Sequence, residues 1–152
     1  MWISQTHMAG YSQQDAHEFF ISFLDEIHNS ACPPNQRHLG QTLCPCIVHQ
    51  VFGGVLQSDV TCSGCNAISL TRDPILDLSL EISKVSAKKK KGEDSVVTLS
   101  DCLEEYTMPE KLSVYTCKSC GASAEAMKQL SINTLPPVLS IQLKVCVLCV
   151  WI

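Results

Sequence analysis

Cys62 and Cys65, and further along Cys117 and Cys120, form two Cys-x-x-Cys pairs on glycine-bearing stretches, CSGC and CKSCG. Thiolates at this spacing can turn toward one ion. Two pairs then supply four sulphurs, the full ligand set of a tetrahedral structural zinc site, with metal–sulphur distances of about 2.3 Å and no position open to substrate. A redox dithiol would need one pair and would leave the other unexplained. A second group is His28, Cys44, Cys46 and His49. A Cys-Pro-Cys stretch, a histidine three residues on and another from the preceding helix would close a Cys2His2 site, with Cys32 as substitute ligand. The plainer reading makes these a surface histidine, buried cysteines and a strand histidine. The spacing predicts one or two structural zinc ions per chain, the second pinning a proline-broken loop to a helix.

The elements that must position these residues follow from periodicity. Over residues 12–28, Ala16, Phe19, Phe20, Phe23, Leu24 and Ile27 recur at helical spacing and make one apolar face. Ser12 is the expected cap, with Asp15 reaching back to it and suiting the positive end of the helix dipole. Residues 29–46, with Pro33, Pro34, Gly40 and Pro45, read as a loop. From residue 48 the chain turns to short β-prone runs, and the alternation in ILDLSLEI is that of a half-buried strand. Residues 83–94, with four consecutive lysines at 88–91, read as a solvated loop, the sharper alternative being a nuclear-import signal. A short helix over 98–106, capped by Ser100 or Thr98, precedes a hairpin on the second cysteine pair and a last apolar strand.

The 152 residues, 45% hydrophobic and 17% charged, are enough for one domain or a piece of a larger one. A net charge of −4 gives no basic footprint for a phosphate backbone, so direct nucleic-acid binding is not expected. The longest apolar run, 145–152, falls well short of the roughly 20 residues of a membrane span. A soluble, intracellular chain is the expectation, and a reducing compartment favours metal over disulfides for its ten cysteines.

The string AGYSQQDAHEFF at 9–20 resembles the Q-Q-D-x-x-E-F box of the ubiquitin-specific proteases, and the split cysteine pairs resemble the zinc ribbon of that family's fingers. FGGVLQSDVTC, DPILDLSL and KQLSINTLPPVLSIQLK follow in the family's order, so the likeness runs to Lys144. It is closest to the histone-deubiquitinase branch of the SAGA coactivator complex. The resemblance implies an α+β fold, a partial papain-like protease domain. Residues 1–47 would be a thumb-lobe helix and connecting loop, and 48–144 fingers and part of the palm with an insert at 83–95; 145–152 is a divergent apolar tail. It implies a thiol-dependent deubiquitinase of ubiquitinated histone H2B, working in the nucleus and secondarily in the cytoplasm, with ubiquitin and SAGA-type module subunits as partners. It also gives the first helix a role at ubiquitin's extended, arginine-bearing tail. There Gln13 would bond the tail backbone, and Asp15 and Glu18 would accept charge-assisted hydrogen bonds from guanidinium groups. The bland alternative leaves Asp15 in the cap and Glu18 in solvent.

That family hydrolyses isopeptide bonds with a cysteine nucleophile, an activating histidine and an orienting Asp or Asn. Its nucleophile box, Gly-x-x-N-x-G-N-x-C, would lie ahead of the Q-Q-D helix and its histidine box beyond Lys144. Neither is present, so no catalytic residue is assigned and no cleavage by this chain alone is expected. Cys32, Cys102, Cys146 and Cys149 have no suggested histidine–carboxylate partners, and His17 is expected to pack. A non-catalytic, zinc-dependent module binding ubiquitin or complex subunits is the competing reading. A zinc-ribbon nucleic-acid binder is the third, weakened by the acidic balance.

Overall fold

The computed structural model describes residues 15–32, 44–88 and 96–144. The order is α1 (Ala16–Ala31), α2 (Ile47–Phe52), β1 (Gly54–Cys62), β2 (Ile68–Ile75), β3 (Leu78–Glu81), α3 (Ile82–Lys88), α4 (Leu99–Thr107), β4 (Glu110–Thr116), β5 (Ser123–Thr134) and β6 (Ile141–Lys144). The mixed helix-and-sheet class matches the expectation. Among the described residues no helix is long and apolar enough to cross a membrane.

The helix α1 starts later than its periodicity suggests. Asp15 is itself the N-cap, its Oδ1 accepting from the His17 and Glu18 amides at 2.7 and 3.2 Å. Ser12, the expected cap, lies outside the described residues. The apolar stripe also divides. Leu24 is buried with Phe20 and Ile27 against it, whereas Phe19 and Phe23 stack on each other on the exposed side. His17 has more than a packing role: its Nε2 lies 3.0 Å from Asp77 Oδ2 and ties α1 to the link between β2 and β3.

Residues 47–52 are helical where a β-prone run was expected. Val48 faces the α1 cluster, and Phe52 meets Phe20 edge-on with ring centroids 5.8 Å apart. Burial against α1 thus outweighs the strand preference of a segment reading IVHQVF. Residues 83–88, expected to be loop, and Ile82, expected to end the strand, form α3 after β3, because Ile82 and Val85, three apart, can both meet the core.

Four strands form an antiparallel sheet in the order β2-β1-β5-β4, and β3 and β6 form a separate parallel pair. β1–β2 and β4–β5 are hairpins, and Cys62 opposes Ala126 across β1–β5, so both hairpin turns lie at the same end of the sheet. At the other end Gly54 leaves no room for a side chain: a Cβ there would sit 2.9 Å from the Thr134 carbonyl oxygen and 3.0 Å from Pro136 Cδ. The sheet has little core. No residue of β2 or β4 is buried. The buried apolar side chains collect instead around α1–α2 and around Leu80, Val85 and Cys102, between β3, α3 and α4.

The cap of α4 is Thr98, and with Asp101 it makes a reciprocal capping box. Thr98→Ala is expected to cost about 1 kcal/mol, the usual worth of such a cap. A chemical-denaturation midpoint checks it, and no change would show that α4 is held by packing alone.

Candidate functional site

The two hairpin turns repeat one hydrogen-bond pattern. Cys62 N donates to Ala67 O and Asn66 N to Cys62 O; Cys117 N donates to Ala122 O and Gly121 N to Cys117 O. In each turn the residue four after the first cysteine takes a positive φ, 56° at Asn66 and 69° at Gly121, which asparagine and glycine tolerate best. The backbone thereby wraps the leading cysteine. The sulphurs of Cys62, Cys65, Cys117 and Cys120 all lie within 4.8 Å of one another, with Cys62 and Cys117 buried and Cys65 and Cys120 exposed. Cys65 and Cys117 are 3.7 Å apart. Four thiolates at about 2.3 Å from one ion stand about 3.8 Å from each other along a tetrahedral edge, so that pair already has the required separation.

The electrostatics of the group suit a bound cation. The amides of Cys120 and Ser119 donate toward Cys117, bringing its thiol down to about 6. The Ala67 amide pulls Cys65 the same way. Its bonds to the Cys117 and Cys120 sulphurs, with burial, outweigh that and push it up to about 12. Sulphurs this close cannot all ionise beside each other; a divalent cation removes the conflict and lets all four act as thiolates.

The second cluster sits where α1 ends and α2 begins. Cys32 caps α1, its amide donating to His28 O, and Cys46 is the N-cap of α2. The ligand atoms of His28, Cys32, Cys44 and Cys46 lie within 4.8 Å of one another. His28 Nδ1 is 3.3 Å from Cys46 Sγ and 3.6 Å from Cys44 Sγ. These values straddle the roughly 3.5 Å edge that zinc–nitrogen and zinc–sulphur bonds of about 2.0 and 2.3 Å would give. His49 stands beside the group, with Nδ1 3.0 Å from Cys46 Sγ and its ring 4.9 Å from that of His28. His49 Nε2 is buried without a hydrogen-bond partner. Burial, helped by His28, lowers the His49 pKa and favours the neutral, ligating imidazole.

Four donors converge, but not the expected four: Cys32, expected only as a substitute, is inside the group, and His49 stands beside it next to Cys46. A signal for it was available: His28 and Cys32 are four apart, on one face of a helix. Both clusters are able to hold zinc.

Of the residues expected at a ubiquitin tail, Asp15 and Glu18 lie together at the exposed start of α1, and Gln13 is outside the described residues. Cys102 is buried on α4 and packs with Leu80, Val85, Leu103 and Tyr106. Cys146 and Cys149 are outside the described residues.

Residues 1–147 match the family model for ubiquitin carboxyl-terminal hydrolase. The chain is 39% identical to ubiquitin C-terminal hydrolase 22 of Arabidopsis thaliana over 94% of its length. It is 38% identical to ubiquitin carboxyl-terminal hydrolase nonstop of Drosophila melanogaster over 95%, and 39% identical to ubiquitin carboxyl-terminal hydrolase 27 of Homo sapiens over 91%. It spans 28%, 33% and 36% of those three proteins, about a third of each. Among solved structures it is similar to the SAGA DUB module Ubp8/Sgf11/Sus1/Sgf73 bound to monoubiquitin, with a TM-score of 0.73 and 42% identity over 94% of this chain and 30% of that one. The same module bound to ubiquitin aldehyde gives a TM-score of 0.72 at 42% identity, covering 94% of this chain and 29% of that one.

Proposed function

Because this chain belongs to the ubiquitin carboxyl-terminal hydrolase family, we propose that it is the ubiquitin-gripping segment of a thiol-dependent deubiquitinase that hydrolyses the isopeptide bond at the ubiquitin C-terminus. Its target in this reading is ubiquitinated histone H2B, reached in the nucleus within a coactivator complex whose partner subunits are of the SAGA deubiquitinase-module type. The likeness to Ubp8 structures that hold ubiquitin together with Sgf11, Sus1 and Sgf73 supports it. Residues 1–47 serve as thumb-lobe helix and loop, 48–144 as fingers and part of the palm. The exposed ring pair Phe19–Phe23 then packs on the remainder of the thumb lobe.

The observation that carries this reading is the group of four cysteine sulphurs at the sheet end. Cys62, Cys65, Cys117 and Cys120 would hold zinc there, and the ion supplies a cross-link between two hairpins. Hydrolysis is assigned to residues that this chain does not contain. Its own work is to grip: the sheet presents a fixed surface to the ubiquitin globule, while Gln13, Asp15 and Glu18 meet the tail. Asp15 then has two tasks, since its Oδ1 already caps α1. Glu18 is the probe that leaves this cap in place. Glu18→Gln is expected to weaken ubiquitin binding about tenfold, matching roughly 1.5 kcal/mol for a charge-assisted hydrogen bond.

The second reading, a non-catalytic ubiquitin-binding module, is favoured by the burial of Cys102 and the engagement of the other described cysteines in the two clusters. Titrating the zinc-loaded chain with labelled ubiquitin, alongside a ubiquitin-tail fluorophore substrate, tests both. Binding without release of fluorophore is expected. A chimera with this segment in place of its counterpart in the Drosophila relative separates them, since restored H2B deubiquitination supports the enzyme segment and intact binding without turnover supports the module. Absence of ubiquitin binding would reject both.

A further inference from the structure

The α1–α2 cluster groups His28, Cys32, Cys44 and Cys46, with His49 beside it, and two of its sulphurs are unlike the rest. Cys32 Sγ and Cys44 Sγ lie 2.7 Å apart, both buried. That separation is between the roughly 2.05 Å of a disulfide bond and the roughly 3.8 Å tetrahedral edge of two zinc-bound thiolates. The pair must spread by about 1 Å to ligate one ion together and close by less to form a bond. In the sheet-end cluster the close pair, Cys65 and Cys117, stands at 3.7 Å, the ligating separation. A pocket of about 330 Å³ reaches the α1–α2 cluster: Cys44 and His49 line it, with Gly53, Pro74 and Leu76 among its other walls. His49 stands next to the cluster, with Nδ1 3.0 Å from Cys46 Sγ and a buried Nε2 that has no hydrogen-bond partner among the described residues.

We propose that Cys32 and Cys44 are a redox pair through which a peroxide-class oxidant releases the metal from the α1–α2 cluster. The Cys44 sulphur attacks one peroxide oxygen and the O–O bond breaks, giving a sulfenic acid and water. The Cys32 sulphur then displaces the sulfenic oxygen as a second water and forms the S–S bond. Two thiols are oxidised to one disulfide, and one peroxide is reduced to two waters. The cluster loses two thiolate donors at once. His28, Cys46 and His49 remain, a set with one negative charge that holds a divalent ion more weakly. Since α1 and α2 meet through this cluster, its oxidation loosens their junction. A thiol reductant and fresh zinc restore it.

The inference rests on the metal reading of this cluster and not on ubiquitin binding. The test uses the full 152-residue chain loaded with zinc. Metal content is measured first, hydrogen peroxide is added, release is followed with a chromophoric chelator, and the disulfide is mapped by mass spectrometry of peptides. The expected result is one ion released per chain, a Cys32–Cys44 linked peptide, recovery on reduction, and release at least tenfold slower in Cys32→Ser. Cys32→Ala, which keeps an apolar side chain there, should slow release as well, and the peptide map of the parent chain is independent of how either variant folds. Release at the same rate in both variants, or disulfides only among Cys62, Cys65, Cys117 and Cys120, would overturn the switch while leaving zinc in place. A chain that binds no ion at the α1–α2 cluster would overturn both.

Discussion

Cys117→Ser is expected to remove one zinc ion per chain and to unravel the sheet end where the two hairpins meet. Cys117 is almost fully buried, it sits at the turn between β4 and β5, and its sulphur is the one most favoured as a thiolate, drawn down by the Cys120 and Ser119 amides. A serine hydroxyl in its place keeps the shape and loses the charge. The size of the effect follows from what else holds the sheet. Its outer strands bury nothing, and in β5 only Ala126 is buried, so packing cannot replace the ion. Structural zinc contributes apparent binding free energies of about 10–16 kcal/mol in finger peptides, against total stabilities of about 5–15 kcal/mol for ordinary domains. Losing one ligand of four is therefore enough to open the tip. Metal analysis should fall by one equivalent, and strand circular dichroism should fall with it. Chelation of the parent chain should lose at least the same strand signal, with the sheet end exchanging amide hydrogens faster than α4. An unchanged metal content in Cys117→Ser would mean that the sulphurs are near one another without sharing an ion.

How far these sites could be read in advance depended on how local their signals are. The Cys-x-x-Cys turns are short-range patterns in which two ligands come from one turn, and the four sulphurs come together where the spacing put them. The second cluster draws ligands from a helix C-terminus and from the start of another helix, across the Pro33-Pro34 step, and its membership depended on a helix that extends past His28 to Ala31. The loop reading of 29–46 hid this, and with it the one-turn relation of His28 to Cys32. In α1 the apolar positions were legible, but the stripe is wider than the face these residues cover. Nothing in the spacing separates Leu24, buried, from Phe19 and Phe23, exposed. Residues 47–52 were misread because β-branched and aromatic side chains suit either a strand or a short buried helix, and only contact with α1 decides between them. The strand character of β3 was visible in its alternation. Its parallel partner was not, because β3 and β6 are far apart in sequence and no turn links them directly.

That distant pairing is why Leu80→Ala carries the second large effect. Leu80 is fully buried in β3, next to Leu78 at 1% exposure, and it touches the cluster that Val85 on α3 and Cys102 on α4 complete. A parallel pair of two short strands has little stability alone and depends on the elements covering it. Truncating Leu80 removes apolar burial and leaves a hole among Ile82, Leu103, Tyr106 and Ile141 that backbone fixed on several sides can fill only in part. The expected loss is about 2–5 kcal/mol, read as a fall in denaturant midpoint at unchanged slope. Val114→Ala, on a side chain 78% exposed, should shift it by about 0.5 kcal/mol or less. Because the cluster around Leu80 includes none of the residues of the two metal groups, Leu80→Ala should keep its full zinc content while folded, and Cys117→Ser should lose zinc under the same conditions. Loss of metal in Leu80→Ala well below its unfolding midpoint would mean that the helical core and the sheet end fold as one unit, in which case the ion's stabilisation reaches β3 and β6 as well.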